Sequence, residues 1–212
     1  LKESYRAGAH RFVEQDSVNL TSLVRTSPVT TGGRLGDIFQ EWAVRHAQVK
    51  LGQYFTNARV LFFSGLADFK LAMSMAEYTP NLQFADPVLQ LGVPKLLTSL
   101  DALQLYATGA HYVKDWPLPD VMATGPVKEW TRFVLRKAMQ KATVVVAPVH
   151  SLDEFGLEEL AGKTVVTAAA SDKRVELLKD KGVHMIIDGA PELFGHVLAP
   201  NLLDAMILAA TG

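Results

Sequence analysis

The 212-residue chain has no cysteine. That excludes disulfides, thiolate nucleophiles, iron–sulfur clusters and cysteine-bound zinc, and it fits a reducing compartment, so the expected location is cytoplasmic. Excess charge of either sign is also missing. A formal net charge of -1 gives no electrostatic case for nucleic acid or an anionic membrane as partner. No apolar run reaches the ~18–20 residues needed to cross a bilayer; the closest, Leu202 to Ala210, is about half that length and carries Asp204. A signal-peptide pattern is absent. The chain starts at Leu1 rather than Met, so a truncated amino terminus is expected. The six histidines (His10, His46, His111, His150, His184 and His196) show no paired ligand spacing, and no metal site is expected.

Hydrophobic residues make up 49% and charged residues 20%, the balance of a soluble globular domain. The most informative stretch is Gly162-Lys163-Thr164-Val165-Val166-Thr167, followed by a charged helical segment and then Gly182-Val183-His184-Met185-Ile186-Ile187-Asp188. Two β-branched runs flank a helix of crossover length, which suits a parallel βαβ unit rather than a hairpin.

Residues 1–57 read as a mostly helical segment. Lys2 to Gln15 reads as a helix weakened by Gly8, and Ser27 to Gly33 as a loop. From Arg34 the pattern is helical. Leu35, Ile38, Phe39, Trp42 and Ala43 form one stripe continued toward Val49, and that stripe reads as core. Asn57 to Ser64 is a continuous apolar strand ending at Gly65, which implies burial on both faces. A helix over Asp68 to Tyr78 and a strand over Leu82 to Ala85 follow. Asp86-Pro87 then opens a helix, with Asp86 as cap and Pro87 at its first position. Thr98-x-x-Asp101 resembles a capping box. Gly125-Pro126 opens another helix, Thr143 to Ala147 is an apolar strand ending at Pro148-Val149-His150, and Ser151-x-x-Glu154 is a second capping box. Pro191 to Gly195 reads as a turn or short helix. Asn201 to Ala210 is apolar nearly all round and reads as a buried terminal helix.

Two segments share a layout. Strand, small-residue turn, helix, strand and acid recur near residues 58–90 and 143–191. Gly65 precedes Asp86 by 21 positions and Ala168 precedes Asp188 by 20. Alternating strands and helices predict one α/β domain over residues 1–212. Its expected form is a Rossmann-like, doubly wound, mostly parallel sheet of about five strands with helices on both faces. Ligands in such sheets bind at the carboxyl ends of the strands. Here those ends carry Ser64, Gly65, Asp86, His150, Ser171 and Asp188.

The turn-to-acid spacing is that of a dinucleotide unit. Small residues admit a pyrophosphate to a helix amino terminus, and an acid about 20 residues on accepts ribose hydroxyls. Ala168, Ala169, Ser171 and Asp188 would fill these roles in one half, and Ser64, Gly65 and Asp86 in the other, for NAD or NADP. Neither turn has the G-x-G-x-x-G pattern. The plainer alternative makes Asp86 a helix cap and Asp188 part of an Asp-Gly turn. Thr31, Gly33 and Arg34 precede or open a helix and suit a phosphate or carboxylate; the alternative is an ordinary helix start. His150, at a strand's carboxyl end, is the candidate general acid or base; the alternative is a capping or packing residue.

Gly162 to Thr167, Val175-Glu176-Leu177-Leu178, Lys181-Gly182-Val183, Pro191-Glu192-Leu193 and Asn201-Leu202-Leu203-Asp204-Ala205 resemble a bacterial family of quinate or shikimate 5-dehydrogenase-like proteins. Arg59 to Leu66 is similar too. The resemblance implies a Rossmann-like fold, an oxidoreductase and a longer amino-terminal region. The expectation is a dehydrogenase-like enzyme that binds a nicotinamide nucleotide and a small polar acid near Arg34 and His150. The alternatives are a non-catalytic small-molecule-binding or regulatory domain, and a structural protein whose apolar terminal helix packs against another copy.

Overall fold

A computed structural model describes residues 4–7, 10–13, 33–113, 126–148, 151–152, 157–168, 170–193, 196–198 and 200–211. Its centre is a five-stranded, all-parallel sheet with strand order β4-β3-β5-β6-β7. The strands are β3 (Val60–Phe62), β4 (Leu82–Phe84), β5 (Val144–Val146), β6 (Thr164–Thr167) and β7 (Met185–Asp188). The α/β, Rossmann-like reading is therefore correct. Among the described residues no helix is long and apolar enough to cross a membrane.

The strands β3, β5 and β6 are buried along their whole lengths. Their β-branched and aromatic side chains alternate between two hydrophobic layers. Val60, Phe62, Val144, Val146 and Val166 face one layer, against α1 (Gly33–Lys50), α2 (Phe69–Ala76) and α4 (Leu100–Val113). Leu61, Phe63, Val145 and Val165 face the other, against α3 (Asp86–Leu91), α5 (Pro126–Lys141) and α6 (Asp172–Asp180). Burial on both sides is why these strands read as unbroken apolar runs. The outer strand β4 does not end as a bare edge. Phe84 and Leu97 exchange backbone hydrogen bonds of 2.8 and 3.0 Å, which pairs groups that would otherwise be open to another chain.

Several local expectations are corrected. The segment read as a first helix instead contains the antiparallel pair β1 (Ser4–Ala7) and β2 (His10–Val13). The stripe on α1 is displaced. Trp42 is 64% exposed and Val49 80%, whereas Val44 and Ala47 are buried, so Trp42 is not core. The aromatic residue dominated the periodicity, but the sheet meets the neighbouring stripe. Ser99, not Thr98, caps α4, its Oγ accepting from the Ala102 N–H at 3.1 Å. Pro191 to Gly195 overlaps a small hairpin of β8 (Glu192–Leu193) and β9 (His196–Val197). The terminal helix α7 (Pro200–Thr211) is not buried: Leu202, Met206 and Ile207 are exposed. The Ser151-x-x-Glu154 box extends outside the described residues.

Two glycines are fixed by close approach. A Cβ on Gly65 would lie 2.3 Å from Phe84 Cδ1 and 2.9 Å from Leu103 Cδ2. A Cβ on Gly189 would lie 2.7 Å from Gln40 Cα and 2.9 Å from Gln40 N, where backbone of α1 crosses the end of β7. Backbone yields less readily than a side-chain tip. Gly189→Ala should therefore cost ~1–3 kcal/mol, the usual range for overpacking, measured as a lower urea midpoint. An unchanged midpoint would show that α1 does not sit against Gly189.

Candidate functional site

The chain leaves β3 for β4 on one side and later returns to place β5 on the other. The strand order thus reverses between β3 and β5, and the crevice beyond their carboxyl ends is where an open α/β sheet presents a ligand site. Ser64 follows β3 and Pro148 follows β5, both half-buried. The Ser64 carbonyl accepts from the Asp68 N–H at 3.0 Å, so one tight turn carries the chain from β3 into α2.

Asp86 builds that turn. Its side chain is fully buried, Oδ2 accepting from the Gly65 N–H at 2.8 Å and Oδ1 from the Leu66 N–H at 3.0 Å. It does not cap α3; the residue at that cap is Ala85. The second half uses the same device. Asp188 Oδ2 accepts from the Ala170 N–H at 2.8 Å, and Oδ1 from the Ala190 N–H at 2.8 Å. In a dinucleotide fold the turn amides meet a pyrophosphate; here the protein's own carboxylates take them. The expectation that Asp86 accepts a ribose and Gly65 admits a phosphate is corrected, because Asp86 is closed from solvent and Gly65 makes room for the Phe84 ring.

The electrostatics single out a residue that sequence reasoning passed over. Burial pushes the Asp68 carboxyl up to about 7, with the charges of Asp37 and Asp86 acting in the same direction. Asp68 stands at the amino end of α2, yet its side chain makes no capping hydrogen bond. Asp37 is held by Lys70, 3.3 Å away. Burial also raises Asp86, to about 6, against the lowering effect of the Leu66 and Gly65 amides. Tyr106 is raised by burial and then by Asp86; its hydroxyl donates to Gln90 at 3.0 Å. A carboxyl that titrates near neutrality beside a crevice is able to exchange a proton with a bound molecule. In sequence Asp68 looks like any acid before an apolar helix, so no signal marked it.

The expected residues divide by place. Ser64 lies at the β3–β5 crevice. Ala168, half-buried, and Ser171, exposed, lie two strands away at the β6–α6 turn with Asp188. Near them Thr167 Oγ1 is buried without a hydrogen-bond partner among the described residues. Gly33 and Arg34 form the first turn of α1, the helix that carries Asp37. Thr31, Ala169 and His150 lie outside the described residues. Among the described residues no group of three or more His, Asp or Glu is placed to hold a metal ion.

The raised acids fix the sign of a pH effect. Between about pH 4 and about pH 7 the folded chain holds protons on Asp68 and Asp86 that the unfolded chain has released, so stability falls as pH rises through this window. Asp68→Asn should flatten the slope and make the protein more stable than wild type at about pH 8, by on the order of 1 kcal/mol. Urea midpoints across the range measure it. A wild-type midpoint that climbs with pH, unaltered by the substitution, would contradict the assignment.

No curated protein and no solved structure matches the chain at a significant level. A family model described as a domain of unknown function, DUF8754, matches residues 34–212, which takes in the whole five-stranded sheet and the helices on both its faces, and the chain belongs to that family.

Proposed function

We propose that this chain is a small-molecule-binding α/β domain whose ligand occupies the crevice beyond β3 and β5. The observation that carries this reading is the Asp68 carboxyl, raised to about 7 beside Ser64 with no capping bond of its own. A proton-exchanging acid at the point where strand order reverses suits a ligand hydroxyl or amine. Arg34 stands one turn before Asp37 on α1, and the amino end of that helix favours an anion. The ligand class is therefore a small hydroxy or amino acid, its hydroxyl or amine at Asp68 and its carboxylate toward the amino end of α1. The turn amides taken by Asp86 and Asp188 argue against a pyrophosphate.

A second reading, an NAD- or NADP-dependent dehydrogenase-like enzyme, draws support from one observation. The unpartnered Thr167 hydroxyl and the Asp188 carboxylate end neighbouring strands beside the small-residue turn, where a ribose would meet both.

Thermal shifts with quinate, shikimate, amino acids, NAD and NADP separate the two. A ligand at ~100 times its dissociation constant adds ~2.7 kcal/mol of stability. The first reading expects a shift with a hydroxy or amino acid, lost in Asp68→Asn and kept in Asp188→Ala. A nucleotide shift abolished by Asp188→Ala would replace it with the second. No shift with any compound would overturn both.

A further inference from the structure

The opposite edge of the sheet carries a second opening. A cavity of about 640 Å³ lies at the amino ends of β3, β4 and β5, lined by Tyr54, Asn57, Arg59, Asn81 and Thr143 among others. That volume is within the range of small-molecule sites. Among the described residues its lining includes no acidic residue and one cation, Arg59. The Arg59 backbone is tied to Thr143, just ahead of β5: its N–H donates to Thr143 Oγ1 at 3.0 Å, and its carbonyl accepts from the Thr143 N–H at 2.9 Å. The guanidinium is left at the surface, and no carboxylate pairs with it among the described residues.

The ordinary task for a cation here would be to neutralise the carboxyl end of α5, but Lys163 does that. Its Nζ donates to the Ala142 carbonyl at 2.8 Å and the Gln140 carbonyl at 3.4 Å. Burial lowers the Lys163 ammonium, Glu159 opposes this, and Arg59 adds to the lowering; the two cations share one positive region. Asn57 sits in the left-handed region at φ 62°, which asparagine tolerates. Its carbonyl accepts from Asn81 Nδ2 at 3.5 Å, while its own N–H and side-chain amide donate to no described protein group.

We propose that this cavity binds a small molecule bearing a carboxylate or phosphate group, with Arg59 as its charge partner and the Asn57 and Asn81 amides as hydrogen-bond donors. The site is independent of the crevice at the other edge.

The test is a titration of the full chain with inorganic phosphate and, separately, with citrate, followed by amide NMR shifts. Sodium chloride at matched ionic strength is the control. Saturable shifts at Asn57, Arg59 and Asn81 are expected, with Arg59→Gln weakening binding by about tenfold or more, the usual loss for a charge-assisted contact. Asn81→Asp, which adds a negative charge to the cavity without touching the core, should weaken it as well. Saturation by phosphate alone would identify a phosphate group, and by citrate alone a carboxylate. The proposal falls if neither anion saturates these amides, if sodium chloride gives the same shifts, or if Arg59→Gln binds as tightly as wild type.

Discussion

A buried carboxylate holding a turn is the interaction on which the rest of this structure depends. Asp86 opens α3 just after β4, yet its oxygens accept the amides of Gly65 and Leu66 in the turn after β3. One side chain thereby joins two neighbouring strands at the edge where a ligand would arrive. The turn must be tight, because Gly65 lies against the Phe84 ring with no room for a Cβ. Placing a carboxylate away from water is costly, and the two amide bonds offset only part of that cost. The residual penalty appears as a proton affinity raised to about 6.

The same arrangement recurs where Asp188 accepts from Ala170. Two βαβ halves thus solve one problem in one way. The amides of the turn that leads into a helix need acceptors, and an acid at or just after the carboxyl end of the next strand supplies them. In the second half the acid is half-buried rather than sealed, and the buried Thr167 hydroxyl beside it lacks a partner.

The two edges of the sheet differ in charge. Asp37, Asp68 and Asp86 gather at the carboxyl edge, where burial first and then Asp37 and Asp86 raise the proton affinity of the Asp68 carboxyl. Arg59 and Lys163 stand at the amino edge. A net charge of -1 hides this separation, because a total says nothing of where charges lie. The electrostatic argument from composition bears only on strongly polyanionic partners and carries no information about small polar ligands held at one edge.

The sequence by itself determined the α/β class, the parallel sheet and most element positions. Val60 to Phe62, Val144 to Val146 and Thr164 to Thr167 are apolar or β-branched throughout, a pattern that burial on both faces rewards. The glycine and proline punctuation then bounded the helices. It also brought out the repeat that pairs Gly65 with Asp86 and Ala168 with Asp188. Tertiary structure alone decided what those acids do. A spacing of about 20 residues fixes that an acid returns beside a turn, but not whether its oxygens face a ribose or the turn's own amides; that depends on a few ångströms of side-chain direction. Helix faces were equally beyond the sequence. Trp42 and the apolar α7 read as core and lie exposed, because periodicity identifies a stripe without saying which neighbour covers it. Asp68 became visible only when folding brought Asp37, from a helix 31 positions away in sequence, and Asp86, from the start of α3, into its surroundings. Charge proximity of that kind is set by packing, which no local pattern encodes.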